Sequence, residues 1–320
     1  MSPVRKVLVI LWSLVGVLLP RPPGGCARPL EDDRASEHIN CYVSILPEKF
    51  FVERIGGDYV EVQVMVGPGQ VPHTYEPKSR QLTELAGARV YFSIGVEFEA
   101  SLLPRIERNF RSLRIVDASA GIRKRSMTHD HRTDSETSGH TRNASPNASQ
   151  SMERRQGGLD PHVWLSPRLA VLICANIRDA LTEIQEFHAE YFSSRFEDLK
   201  TELESADRRI AQDLSPYRGR EILVYHPAFG YFADDYGLVQ VEIEQNGSMP
   251  GPKHLAEVID LARARGATVI FVQPQVSDTY ARTVADAIGG RVVPLDPLAE
   301  PYIQNLEIMA SRIAESFEKP

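Results

Sequence analysis

The chain has 320 residues, more than one compact core usually holds, so two lobes are expected. Its 42% apolar and 25% charged residues exclude wholesale disorder, and its net charge of −7 gives no support to nucleic-acid binding. Three cysteines (Cys26, Cys41, Cys174) without a Cys-x-x-Cys pair exclude a disulfide-rich scaffold and a cysteine zinc site.

Residues 1–27 read as a signal peptide. Arg5 and Lys6 precede the apolar run 7–19, which is shorter than the ~20 residues that span a bilayer. Pro20, Pro22, Pro23, Gly24 and Gly25 end it. Two processing outcomes fit. Cys26 is acylated after Gly25, holding the protein on a membrane face, or Gly25 and Ala27 mark a junction for soluble export. Pro23 stands where lipid-anchored chains usually carry Leu, which favours export. Either way the address is periplasmic or extracytoplasmic.

After the leader, strands at 41–45, 60–66, 89–93 and 113–116 alternate with helices at 48–55, 78–86 and 98–109. A second set follows, with strands at 221–225, 239–242, 268–272 and 291–294 and helices at 231–236, 252–265 and 279–288. The pattern predicts an α/β protein of two lobes, each a mainly parallel four-stranded sheet flanked by helices. Two stretches depart from it. Residues 118–158 are polar, contain His129, His131 and His140, and have no periodicity that could bury a core. Residues 187–214 place Phe192, Phe196, Leu199, Leu203, Ala206, Ile210 and Leu214 at steps of three or four, the spacing of one helix face. Such a helix runs for ~40 Å and joins the lobes. The expected divisions are thus a first lobe over 28–186, the connecting helix over 187–215, and a second lobe over 216–320. Cys41 and Cys174 fall on apolar positions and read as buried, inert thiols.

Four residues stand out as ligands. His73 follows the strand at 60–66, His226 follows 221–225, and Asp296 follows 291–294; His162 precedes the helix that Ser166 and Pro167 begin. The carboxyl ends of parallel strands form the ligand crevice of α/β sheets. Each of the four has a proline within two residues, which stiffens the backbone presenting it. Three imidazoles and a carboxylate suit a tetrahedral Zn2+ site, although they are far apart in sequence and no local pair links them. Unconnected capping or core histidines are the alternative.

The segments Pro72-His73-Thr74-Tyr75-Glu76-Pro77, Asp160-Pro161-His162-Val163-Trp164, His226-Pro227-Ala228-Phe229-Gly230-Tyr231-Phe232 and Leu295-Asp296-Pro297-Leu298 resemble a known family. It comprises the metal-binding receptors of bacterial zinc and manganese ABC importers, of the ZnuA and TroA type. Ile55-Gly56-Gly57-Asp58 and Pro274-Gln275-Val276-Ser277 resemble its other signposts. The resemblance implies that His73 and His162 from the first lobe and His226 and Asp296 from the second close on one ion. It also implies that the long helix is a rigid connector, that the partner is an ABC permease, and that the protein is no enzyme. The chain is expected to be a monomer. Two positions depart from the pattern: Val71 and Gln273 stand where relatives carry acidic residues.

In manganese-type relatives the third ligand is a carboxylate, whereas this chain has His226. Nitrogen-rich coordination favours zinc, with manganese or iron as the alternative. His129, His131 and His140 would serve as accessory weak sites. A zinc hydrolase is a competing reading, but it needs an open coordination position and a base, and Glu76 is the only local candidate. Surface adhesion is a further alternative, on which the residues are silent. His38, His188 and His254 read as solvated, and the Asn143 and Asn147 glycosylation patterns as chance matches.

Overall fold

The computed structural model describes residues 38–127, 158–244 and 251–318. The first sheet comprises β1 (Ile39–Val43), β2 (Val60–Val64), β3 (Val90–Ser93) and β4 (Arg114–Asp117), ordered β2-β1-β3-β4 with every neighbouring pair parallel. The second repeats the plan with β5 (Glu221–Val224), β6 (Val239–Glu242), β7 (Val269–Val272) and β8 (Arg291–Pro294), ordered β6-β5-β7-β8 and again parallel. The inner strands β3 (VYFS) and β7 (VIFV) are buried along their whole length, as strands covered on both faces must be.

Helices α1 (Leu46–Gly56), α2 (Ser79–Leu85), α3 (Glu99–Asn109) and α4 (Pro167–Ile184) belong with the first sheet. The long helix α5 spans Ala189–Leu214, and α6 (Gly230–Tyr236), α7 (Pro252–Ala264), α8 (Thr279–Ile288) and α9 (Tyr302–Glu318) follow. All seven apolar residues on the predicted face of α5 are buried. They pack against α1 and α4 on one side and against α6 and α9 on the other. One continuous core therefore runs from Val43 and Phe92, through Phe192 and Leu203, to Val224, Phe232 and Met309. Leu223, Val241, Ile270 and Val272, alternating with the β5 and β7 residues of that core, face a second cluster with Val258, Val284 and Ala285.

Three details of the helices and the polar stretch differ from the sequence reading. First, α5 starts at Ala189, because Glu186–His188 form a tight 3-10 turn. His188, expected to be solvated, is instead buried, its ring stacked 3.8 Å from that of Tyr59. Second, α9 was not among the predicted elements, although Tyr302, Leu306, Met309 and Ile313 are spaced as one helix face and all are buried. Third, the polar stretch begins later than residue 118. Ala118 and Ser119 are buried, and Ser126 pairs with Leu159 in an antiparallel bridge. Cys41 and Cys174 are free and buried, as expected, and burial pushes both thiols above their usual range.

Candidate metal centre

In both sheets the first and third strands lie side by side and the chain leaves their carboxyl ends in opposite directions, which opens a crevice there. His73 sits in the 3-10 turn Pro72–Thr74 that follows β2. His226 lies just beyond β5, and the N–H of Ala228 closes a tight turn on its carbonyl at 2.8 Å. His162 opens the turn Val163–Leu165, after which the hydroxyl of Ser166 accepts from the Leu169 N–H and caps α4.

These three histidines meet. One ring nitrogen from each lies within 4.8 Å of the others, and Nε2 of His73 is 2.8 Å from Nε2 of His226. The opposite nitrogen of every ring is held by a carboxylate. Nδ1 of His73 is 2.8 Å from Glu97, Nδ1 of His162 is 2.8 Å from Asp160, and Nδ1 of His226 is 2.7 Å from Glu244. A carboxylate at Nδ1 fixes the proton there and turns the Nε2 lone pair to the common centre. His162 and His226 are buried, whereas 29% of the His73 side chain is exposed, so the centre is reached from the His73 side.

The two Nε2 atoms stand 2.8 Å apart, and their surroundings shift the two rings in opposite directions. Burial alone would lower the His73 pKa, but the hydrogen bond and charge of Glu97, helped by Glu244, bring it above its ordinary value. Burial is also the main influence on His226, and with the neighbouring imidazoles it outweighs Glu244 and leaves that pKa lowered. Burial raises Glu97, yet its hydrogen bond and attraction to His73 bring it below the usual carboxylate range.

The loop carrying Glu97 is itself fixed from beneath. Buried Glu99 accepts from the N–H groups of Ile94 and Gly95 and from the Ser44 hydroxyl, so the turns leaving β1 and β3 share one carboxylate. Lys124 donates to the Ile94 carbonyl at 2.8 Å. Its ammonium lies where a side chain on Gly95 would be, and that residue adopts φ +95°.

Asp296 stands outside the group of three. Its Oδ1 accepts from Gln275 Nε2 at 2.7 Å and from the Leu298 N–H at 2.9 Å. It lines a cavity of about 230 Å³ together with Gln70, Gln275 and Glu300. Gln273 is buried and donates to the carbonyl of His226, so the departure at this position supports a ligand's backbone. Glu76 is exposed. His129, His131, His140, Cys26 and the side chain of His254 fall outside the described residues.

The sequence reading missed the three carboxylates. Asp160 was within reach, two residues before His162 in the same motif, and Glu244 follows β6 as His226 follows β5. Glu97 had no such signal, since its role depends on the Glu99 turn.

Two similar lobes bringing three imidazoles together at the carboxyl ends of their strands define a metal-binding receptor. Residues 41–316 match the family of the zinc-uptake complex component A, periplasmic, and the chain belongs to that family. Its members are zinc-binding extracytoplasmic receptors of ABC importers, substrate-binding proteins and not enzymes. The chain is 33% identical to a ZnuA of known crystal structure, with a TM-score of 0.77 over 88% of this chain and 99% of that one. It is 32% identical to a zinc-bound ZnuA deletion mutant lacking residues 138–173 in that protein's numbering, with a TM-score of 0.76 over 88% and 98% of the two chains. It is also 25% identical over 305 residues to the zinc-binding lipoprotein AdcA of Streptococcus pneumoniae, covering 92% of this chain. That match takes in 55% of AdcA, so the chain spans about half the length of this relative. Among the described residues no helix is long and apolar enough to cross a membrane.

Proposed function

We propose that this chain captures one zinc ion outside the cytoplasm at high affinity, through His73, His162 and His226, and delivers it to an ABC permease. The observation that carries the reading is the convergence of three imidazoles, each with its Nδ1 held by a carboxylate. Three neutral nitrogen donors suit zinc better than manganese, whose harder ion prefers oxygen. The zinc-bound ZnuA variant and AdcA, named for zinc, support the same cargo. The fourth position belongs to Asp296, which reaches it by turning away from Gln275. We further propose that the receptor works as a monomer. Lipid anchoring at Cys26 is the alternative to soluble export, and the lipoprotein relative favours it.

The test is the metal content of the purified protein together with zinc–manganese competition. One zinc per chain is expected, with zinc–nitrogen distances of about 2.0–2.1 Å. His226→Ala should lose most of the affinity, and His226→Glu should shift preference towards manganese by replacing a nitrogen donor with a charged oxygen. Unchanged zinc binding in His226→Ala would contradict the ligand assignment. An unchanged zinc-to-manganese ratio in His226→Glu would remove His226 as the selector.

A further inference from the structure

The contacts of Arg125 converge on one candidate ligand, His162. Asp160, 2% exposed, divides its two oxygens. Oδ1 accepts from the backbone N–H of His162 at 3.0 Å and holds its Nδ1 at 2.8 Å. Oδ2 faces the Arg125 guanidinium, with Nε at 3.8 Å. A buried carboxylate without a counter-charge is costly, and Arg125 supplies one.

Arg125 is also fastened to the second lobe. Its Nη1 donates to Asp234 at 2.8 Å, and its backbone N–H donates to the Tyr231 hydroxyl at 2.9 Å. That hydroxyl donates in turn to the Asp160 carbonyl at 2.9 Å, and the Asp160 N–H donates to the Arg125 carbonyl. Gly230, which begins α6, faces the guanidinium. A Cβ there would lie 2.4 Å from Arg125 Nη1, so only glycine leaves the guanidinium room.

We infer that Arg125 is a positioning residue of the metal centre: by holding Asp160 against His162 while bound to α6, it makes zinc affinity depend on how the two lobes meet. The inference rests on the receptor reading above and adds a determinant outside the ligand set. Loss of Arg125 frees Oδ2 to draw in water and lets the carboxylate turn, so the His162 ring is no longer held at one angle. The interlobe bonds through Asp234 and the packing against Gly230 are lost with it.

The experiment measures zinc affinity and release to a chelator on the full chain, for wild type, Arg125→Ala, Arg125→Lys, Gly230→Ala and the Arg125→Ala/Gly230→Ala pair. Circular dichroism checks folding. Arg125→Ala should weaken zinc about 10–100-fold, the range found for residues that orient a metal ligand, and speed its release. Gly230→Ala keeps every charge but displaces the guanidinium, so it should weaken zinc comparably, and the double variant should be no worse than Arg125→Ala. Arg125→Lys restores the counter-charge without the fork and should recover part of the loss. If Arg125→Ala fails to fold, Gly230→Ala carries the test. Zinc affinities within twofold of wild type in the folded variants, with the His226→Ala loss intact, would overturn the inference alone. A wild-type chain that does not bind zinc would overturn the receptor reading and the inference with it.

Discussion

At the residue scale, the centre is a set of three histidine–carboxylate pairs, and the pairs matter as much as the rings. A free imidazole offers either nitrogen, whereas Glu97, Asp160 and Glu244 leave each ring one outward lone pair. Their combined charge offsets that of a divalent ion in a site where two of the three rings are buried. This arrangement has a pH consequence. The His73 pKa is raised by Glu97 against the pull of burial, so a proton on His73 competes with zinc at a higher pH than it would on an ordinary imidazole. A raised folded pKa means that protonation competes more as pH falls. Apparent zinc affinity should therefore fall as the pH drops through the imidazole range, by about tenfold per unit for one displaced proton. Titrations in buffers of different ionisation enthalpy should show proton release on binding. A flat affinity as the pH falls, with no proton released on binding, would contradict His73 as a ligand.

At the element scale, the long helix α5 is the structural centre of the molecule. Leu203, fully buried at its middle, belongs to the core that both lobes share. Leu203→Ala should destabilise the chain by about 2–5 kcal/mol, since the cavity lies where neither lobe can easily collapse into it. Because the core is continuous, chemical denaturation should still show one transition. Two resolved transitions would mean that the lobes unfold independently and that α5 does not couple them.

Much of this level was legible in the sequence. The strand order of types and the face of α5 followed from period-two and three-to-four spacings, which are local properties. The three histidines were legible because prolines mark all of them, strand ends mark His73 and His226, and a helix start follows His162. Glu97, the bonding of Asp296 to Gln275, and the burial of His188 were not, since each depends on a contact between segments far apart in the chain. The start of β1 at Ile39 was missed because Ile39 and Asn40 give no alternation with what precedes them.

At the scale of the whole molecule, the His162 segment is held by the second lobe as well as the first. The Trp164 indole N–H donates to the Pro297 carbonyl at 2.8 Å, Tyr302 donates to the Trp164 carbonyl, and the Ser166 hydroxyl donates to Asp235. Lys49 pairs with Glu300 at 2.6 Å, beside the packing of Phe50 and Phe51 on Tyr302. Wide hinge opening would break these bonds and unpack α5 together. Zinc release should instead use small shifts of the loops that carry His73, His162 and His226. Scattering curves with and without zinc should nearly superimpose, while hydrogen exchange in those loops rises on zinc removal. A clear increase in radius of gyration on zinc removal would show that the lobes swing apart.

If three Nδ1-anchored histidines hold the cargo, X-ray absorption at the zinc edge of the 1:1 complex should show them. The predicted spectrum has a first shell of nitrogen and oxygen at about 2.0–2.1 Å, no sulfur, and outer-shell scattering from three imidazoles that falls to two in His162→Ala. A sulfur-containing shell, or an oxygen-only shell without imidazole scattering, would contradict the account.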